Sequence, residues 1–322
     1  MLDLHRLRLL HEFATRGSIA KAALALGYTP SAVSQQLATL EREAGASLLD
    51  RTARRAELTD AGRRLAGYAE RILAMVEEAE ADLSARATEP AGRMVATAFP
   101  SAAVAFAPAL TRSMRTHPRL TLVLRQTGAR EGLRQVRSGA VDVAIVDDWT
   151  GRLADDLHES ILTSYHLIRD ELLLVLPRAH RAADPARPVD LRALRDEPWL
   201  AAPTGEPSRS AVDRLLGAAG VAPSLLSEFE GMSTIVSLVA RGIGIAILPR
   251  IAVRGNEAGR GGGRGVVTRP LPHGLDLARD IHAVVRTASV RRPSVAVIVE
   301  ALRAAARGMS ATRSAVGYAD GP

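Results

Sequence analysis

Apolar residues recur at helical spacing from the start of the chain. Leu4, Leu7, Leu10 and Phe13 punctuate DLHRLRLLHEFATRG, which stops at Gly17. Ser18 then caps a second predicted helix, IAKAALALG, closed by Gly27. Its Ala22 and Ala23 are small enough for another helix to approach closely. Thr29 caps a third helix, with Pro30 at the first position, where a missing N–H costs nothing. Val33, Leu37 and Leu40 of that helix fall within about 60° of one another at about 100° per residue, so they face inward. Ser31, Gln35, Ala38 and Arg42 face the opposite way, and Ser34 and Thr39 lie on the flanks. Three short helices with a Gly-Tyr-Thr-Pro turn between the last two describe a helix-turn-helix over about residues 18–41. ASLLDRTARRAELTDAG reads next as a two-stranded wing turning at Ala53–Arg54–Arg55. These elements make residues 1–60 one domain.

A long helix over residues 60–86 follows. Leu65, Tyr68, Ile72, Met75 or Val76, Ala79 and Leu83 step along it by three or four. So narrow a seam has the character of a coiled-coil strand, which predicts pairing with a second copy through residues 61–91, with a helix packed on its own domain as the alternative. Pro90 and Gly92 end it. The pattern then changes to alternating strands and helices: MVATAF, SAAVAFAPALTRSMRTH, LTLVLRQT, AREGLRQVRSG and VDVAIV form a βαβαβ half. LIRDELLLVLP crosses to a second half containing PWLAA, SAVDRLLGAAG, STIVSLVARG and IGIAILP. Strands at GVVTRPL and RDIHAVVR and a helix at PSVAVIVEALRAAARG return. The expected division is a lobe of about residues 92–162 and 266–307, and a second of about 163–265, with a ligand cleft between them. GRGGGRG at 259–265 reads as a flexible loop, with an RGG-type RNA tract as the alternative, and 308–322 as a disordered tail.

Composition narrows the chemistry. The chain has no cysteine, which removes disulfides, thiolate metal sites and thiol redox sensing. Of 42 Lys and Arg residues only Lys21 is a lysine, and it sits in a helical pattern, not in a Gly-rich phosphate loop. No apolar run spans a bilayer and no secretory signal opens the chain, so a cytoplasmic protein is expected. The net charge of +7 is concentrated late: residues 1–60 hold eight basic and seven acidic residues, residues 250–322 twelve and five. Local clusters, not global charge, therefore carry any nucleic-acid argument.

Such a cluster is present. Amides and hydroxyls discriminate base edges by matching donors and acceptors, whereas bare charge mostly grips phosphate. Ser31, Ser34, Gln35 and Gln36 put the first chemistry at the N-terminal end of the third helix, and Arg51, Arg54, Arg55, Arg63 and Arg64 put the second beside it. The stretch GSIAKAALALGYTPSAVSQQLATLEREAGASLLDRTARRAELTDAG resembles the DNA-binding domain of LysR-type transcriptional regulators. The resemblance extends over about residues 1–305, through SGAVDVAIV, LLLVLPRAH, LRALRDEPWL and LVARGIGIAILP. It implies an N-terminal all-α winged helix-turn-helix, a long linker helix and a C-terminal two-lobed α/β effector domain of periplasmic-binding-protein-like form. It also implies base contacts from Thr29, Pro30, Ser34 and Gln35, and backbone or minor-groove contacts from Arg51, Arg54 and Arg55. Lys21, Ser31 and Gln36 complete the expected DNA-facing set. Pro30 and Gln35 depart from residues common in the family (glutamine and arginine), which bears on the operator preferred.

The resemblance further implies a small effector between the lobes. The matching positions are Pro100, Ser101, Ala102, Thr127 and Gly128 in the first lobe, and Pro203, Thr204, Ser208, Met232, Ser233 and Thr234 in the second. Without lysine and with few aromatics in these loops, a small polar or anionic effector is favoured. Ordinary helix capping is the plain alternative for each. Expected partners are double-stranded DNA with a roughly palindromic operator, a second copy (possibly forming a tetramer) and RNA polymerase. No metal or cofactor is expected. Three other classes compete. An enzyme lacks support from Gly-x-Ser-x-Gly or metal-type histidine spacing, and Asp142 and the Asp147–Asp148 pair read as a solvated strand exit. A free solute-binding protein would not need the head, and a pure interaction module would show no salt-dependent DNA affinity.

Overall fold

The computed structural model describes residues 1–52, 55–85, 89–153, 157, 161–254, 265–272, 274–275 and 277–316. The wing residue Arg54 and most of the glycine-rich 259–265 segment lie outside these.

The head is built from α1 (Leu4–Arg16), α2 (Ile19–Leu26) and α3 (Pro30–Ala44). Each begins on a short polar side chain that accepts from an otherwise orphaned amide: Asp3 from Arg6, Ser18 from Lys21 and Thr29 from Ala32. Gly27 adopts φ 72°, the left-handed turn that swings α3 across α2. Leu7, Leu10, Phe13, Ala22, Ala23, Val33, Leu37 and Leu40 close one core. The wing follows as β1 (Leu49–Thr52), antiparallel to β2 (Arg55–Leu58). Glu41 of α3 pins it by accepting from the Leu48 and Leu49 amides at 2.9 and 3.0 Å. Thr59 then caps α4 (Asp60–Ala85), accepting from the Gly62 amide and donating to the Ser47 carbonyl.

The effector domain starts with β3 (Gly92–Ala98), α5 (Pro100–Thr116), β4 (Leu120–Gln126), α6 (Ala129–Arg137) and β5 (Val143–Asp148). β3 lies between β4 and β5, parallel to both. Helix α5 packs on one face of this sheet, and α6 buries Val136 on the other. Strand β6 (Leu162–Pro177) is one continuous sixteen-residue strand serving both lobes. Its first half pairs with β11 (Ala278–Arg286). Its second half pairs with β9 (Ala246–Pro249) and β10 (Val266–Pro270). The second lobe adds parallel β7 (Pro198–Ala201) and β8 (Leu225–Glu228), with α7 (Pro207–Ala218) and α8 (Met232–Ala240). A short α9 (Arg250–Val253) and a long α10 (Pro293–Val316) complete the chain order.

Two expectations are corrected. β10 pairs with the far end of β6 and buries Val266 in the second-lobe core with Leu173 and Ile235, so the return to the first lobe comes at β11 and not at residue 266. Residues 308–316, expected in a disordered tail, continue α10. The run holds no proline to stop the helix, and Met309 packs on the first-lobe core.

The small residue in the Thr-x-Ala-Gly segment has a steric cause. A Cβ on Gly62 would sit inside the contact radius of the Leu48 carbonyl oxygen, which is backbone and cannot swing aside. Gly62→Ala is therefore expected to destabilise the chain by about 1–3 kcal/mol despite the better helix propensity of alanine, because overpacking outweighs it. Chemical denaturation followed by circular dichroism measures this; an unchanged or raised midpoint would refute the close approach.

Candidate DNA-binding surface and inter-lobe site

On α3 the structure separates two faces. Val33, Leu37 and Leu40 are each no more than 1% exposed. Thr29, Pro30, Ser31 and Gln35 are exposed and Ser34 is half-buried. The Thr29 and Ser31 hydroxyls are 3.1 Å apart, so the first turn presents a pre-ordered pair of hydroxyls. Lys21 is exposed on α2. Gln36 is a correction: its Oε1 accepts from Arg6 Nη1 at 3.3 Å, and the same guanidinium holds Glu43 at 3.0 and 2.6 Å. About 100° of helix rotation separates Gln36 from Gln35, which turns it towards α1 and away from the open face. Arg51 and Arg55 lie on β1 and β2, opposite Ala56 and Thr52. Arg63 donates to the Leu58 carbonyl at 2.7 Å and pairs with Asp60, tying the wing's exit to α4.

The seam on α4 is divided between two tasks. Leu65 and Ile72 pack on the head's own core beside Ala66 and Ala69, and Val76 borders the space between head and first lobe. Tyr68, Met75, Ala79 and Leu83 remain exposed. The part of the seam expected at Leu65, Ile72 and Val76 is thus turned inward, because α1 reaches α4 first.

In the effector domain the carboxyl ends of β3, β4 and β5 lie side by side. The chain reverses order there, with β4 and β5 on opposite sides of β3, a crevice position favoured for ligands in open α/β sheets. Ser101, Thr127 and Gly128 occupy these ends. Ala102 is fully buried in the lobe core, so it offers only its backbone. Beneath Ser101 lies a side chain that the sequence did not mark. Arg279, 1% exposed, donates to Ser101 Oγ at 3.0 Å, to Asp147 Oδ2 at 3.0 Å and twice to Asp170 Oδ2 at 3.0 and 2.9 Å. Its guanidinium also stacks 4.6 Å from the Phe99 ring and 5.3 Å from Trp149. The Ser101 oxygen accepts here, so its proton is free to point outward.

In the second lobe the Thr204 hydroxyl donates to Glu228 at 2.8 Å, and Arg209 holds the same carboxylate at 2.6 Å. Thr204, then Arg209, keep the Glu228 carboxyl below the usual carboxylate range. Met232 packs into the lobe core, while Ser233 and Thr234 stand exposed at the first turn of α8. Ser208 and Pro203 are half-buried.

The acidic strand exit is not a solvated one. Burial pushes the Asp148 carboxyl up, but hydrogen bonds from Leu153, Thr150 and Gly151 outweigh that and hold it below its usual range. Asp142 accepts from the Val95 amide and Arg292. These carboxylates are committed to turns and strand ties. Around Ser101 two aspartates face one arginine, with Trp149 alongside, so the local charge does not select an anion as the sequence suggested.

Two family models match. The one described as bacterial regulatory helix-turn-helix protein, lysR family, covers residues 4–63, and the LysR substrate binding domain covers residues 87–307. The chain belongs to the LysR family of transcriptional regulators. Among LysR-family relatives, a probable RuBisCO transcriptional regulator of Cyanophora paradoxa is 31% identical, over 78% of this chain and 77% of its own. The HTH-type transcriptional regulator YofA of Bacillus subtilis is 29% identical over 78% and 82%. A solved full-length OxyR variant from Pseudomonas aeruginosa shares the fold with a TM-score of 0.68 at 20% identity, covering 94% of this chain and 98% of that one.

The buried pair generates a prediction. Burial raises the Asp170 carboxyl, and Arg279 together with the Ile251 amide opposes this. Arg279→Met removes the counter-ion from a buried carboxylate and is expected to lower stability by about 3–5 kcal/mol. Urea denaturation of the full chain reads this; a loss under about 1 kcal/mol would show that the pair is not the joint between the lobes.

Proposed function

We propose that this LysR-type regulator binds a roughly palindromic site in double-stranded DNA as a dimer, and that a small polar molecule between its lobes controls it. The observation that carries the reading is the exposed amide-and-hydroxyl face of α3, set at the helix N-terminus and backed by a sealed apolar face. Thr29, Pro30, Ser31, Ser34 and Gln35 take the base edges, and Lys21, Arg51, Arg54 and Arg55 take the backbone or minor groove. Tyr68, Met75, Ala79 and Leu83 take the second copy, with a tetramer as the further assembly. Ser101, Thr127, Ser208, Ser233 and Thr234 supply hydroxyls to the effector, and Pro100, Gly128, Pro203 and Thr204 shape its loops. No cofactor and no catalytic step is invoked. Among the described residues no cluster of three or more His, Asp or Glu could hold a metal ion, and no helix is long and apolar enough to cross a membrane. The cytoplasm is the proposed place of work and RNA polymerase the proposed further partner.

Footprinting on DNA flanking the protein's own gene tests the reading directly. Gln35→Ala should change which bases are preferred, at about 1–3 kcal/mol per lost bidentate contact, while Arg54→Ala should weaken specific and non-specific DNA alike and lower the salt slope by about one. Identical behaviour of the two variants would overturn this division of roles.

The exposed stripe on α4 makes a separate prediction. Met75→Glu combined with Leu83→Glu should give a monomer at micromolar concentration by analytical ultracentrifugation, with the melting behaviour of the head unchanged, since both side chains are mostly exposed. A variant that stays dimeric would place the interface elsewhere.

A further inference from the structure

The head and the first lobe enclose a cavity of about 420 Å³, within the range of small-molecule sites. Its walls come from three parts of the chain. Helix α1 supplies His5, Arg8 and His11, and α4 supplies Glu70 and Leu73. The first lobe supplies the end of α6 at Arg137 and the Ser138–Gly139 turn. No candidate effector residue borders it, so it is distinct from the crevice at Ser101.

Two of its side chains have no protein partner among the described residues. His11 is 6% exposed, and its ring makes no hydrogen bond among the described residues. Its ring lines the cavity, so its N–H is open to an occupant there. Burial, tempered by Glu70 and Glu12, holds the His11 pKa below its usual value, so the ring is a neutral donor. Arg8 likewise has no ion pair or hydrogen bond among the described residues, and its charge acts on His11. Two carboxylates share the lining: Asp142, which accepts from the Val95 amide and Arg292, and Glu70, 3.9 Å from Arg137. Arg286 lines the wall but is turned into the Val136 and Val141 carbonyls. The unused donors are therefore cationic or N–H in kind, and they face one cavity.

We propose that this cavity binds a small anion, a phosphate or a compact carboxylate, with Arg8 and His11 as its principal contacts and Arg137 closing the site from α6. Because the walls belong to head, linker and lobe, such an anion binds only the arrangement in which the head is docked on the first lobe. It would stabilise that arrangement by mass action.

Calorimetric titration of the full chain with inorganic phosphate and with citrate, in the absence of DNA, tests this. The expected result is saturable binding of at least one of them at millimolar concentration or tighter. Arg8→Glu should weaken it ten-fold or more, and Leu225→Ser, on the exposed surface of the second lobe, should leave it unchanged. Arg8 is exposed, so its replacement should not disturb folding, and His11→Gln, which retains a donor, should bind more tightly than His11→Leu. No saturable binding of either anion, or an affinity that Arg8→Glu leaves unaltered, would overturn the proposal. Neither outcome depends on whether α3 reads DNA, so the two readings fail separately.

Discussion

Among the described residues, the two long strands that run between the lobes, β6 and β11, are tied at the ion pair of Arg279 and Asp170. β6 leaves the first lobe at Asp170 and Glu171. The chain comes back into contact with that lobe at α9, where the Ile251 amide donates to Asp170 Oδ1 at 3.0 Å and Arg250 pairs with Glu171. β11 begins its return at Arg279 itself. The end of β5 is joined through Asp147, and the start of α5 through Ser101. Removing two charges from water is expensive, so such a pair adds little net stability over an apolar pair of the same shape. Its effect is positional. The apolar clusters of the two lobes would tolerate several relative placements, but a buried guanidinium making four hydrogen bonds to three fixed acceptors tolerates one. That fixes where the crevice lies and which hydroxyls edge it.

The head was legible in the sequence because its determinants are local. Asp3, Ser18, Thr29 and Thr59 each sit within three residues of the amide they cap, and the inward triplet of α3 follows from helical period alone. The joint between the lobes was not legible for the opposite reason. Arg279 finds Asp170, Asp147 and Ser101 across 109, 132 and 178 residues of chain, and nothing near RDIHAVVR distinguishes that arginine from the exposed ones. Gln36 and the α4 seam show a third case. The residues facing a given way were identified, but a helix face can serve only the neighbour that arrives first. Arg6 claims Gln36, and α1 claims Leu65 and Ile72, before any outside partner can. Exposure in the folded chain, not periodicity, decides what is left to meet DNA or a second copy.

α6 connects these two kinds of site. Its first turn follows Thr127 and Gly128 at the crevice, and Gly132 packs closely against Ala144 and Thr97. In that first turn Glu131 lies 3.9 Å from Arg16 of α1, and at the other end Arg137 lies 3.9 Å from Glu70 of α4. A helix of nine residues is about 13 Å long and moves as a rigid body, so a displacement at its first turn is delivered to its last. Both contacts with the head and linker are single, long ion pairs, each of a kind worth under about 1 kcal/mol, and they are the weakest links in that path. A ligand that shifts α6 by a fraction of an ångström at the crevice therefore meets little resistance where the helix touches α1 and α4. An occupant of the Arg8–His11 cavity would add contacts at the same end and oppose the shift.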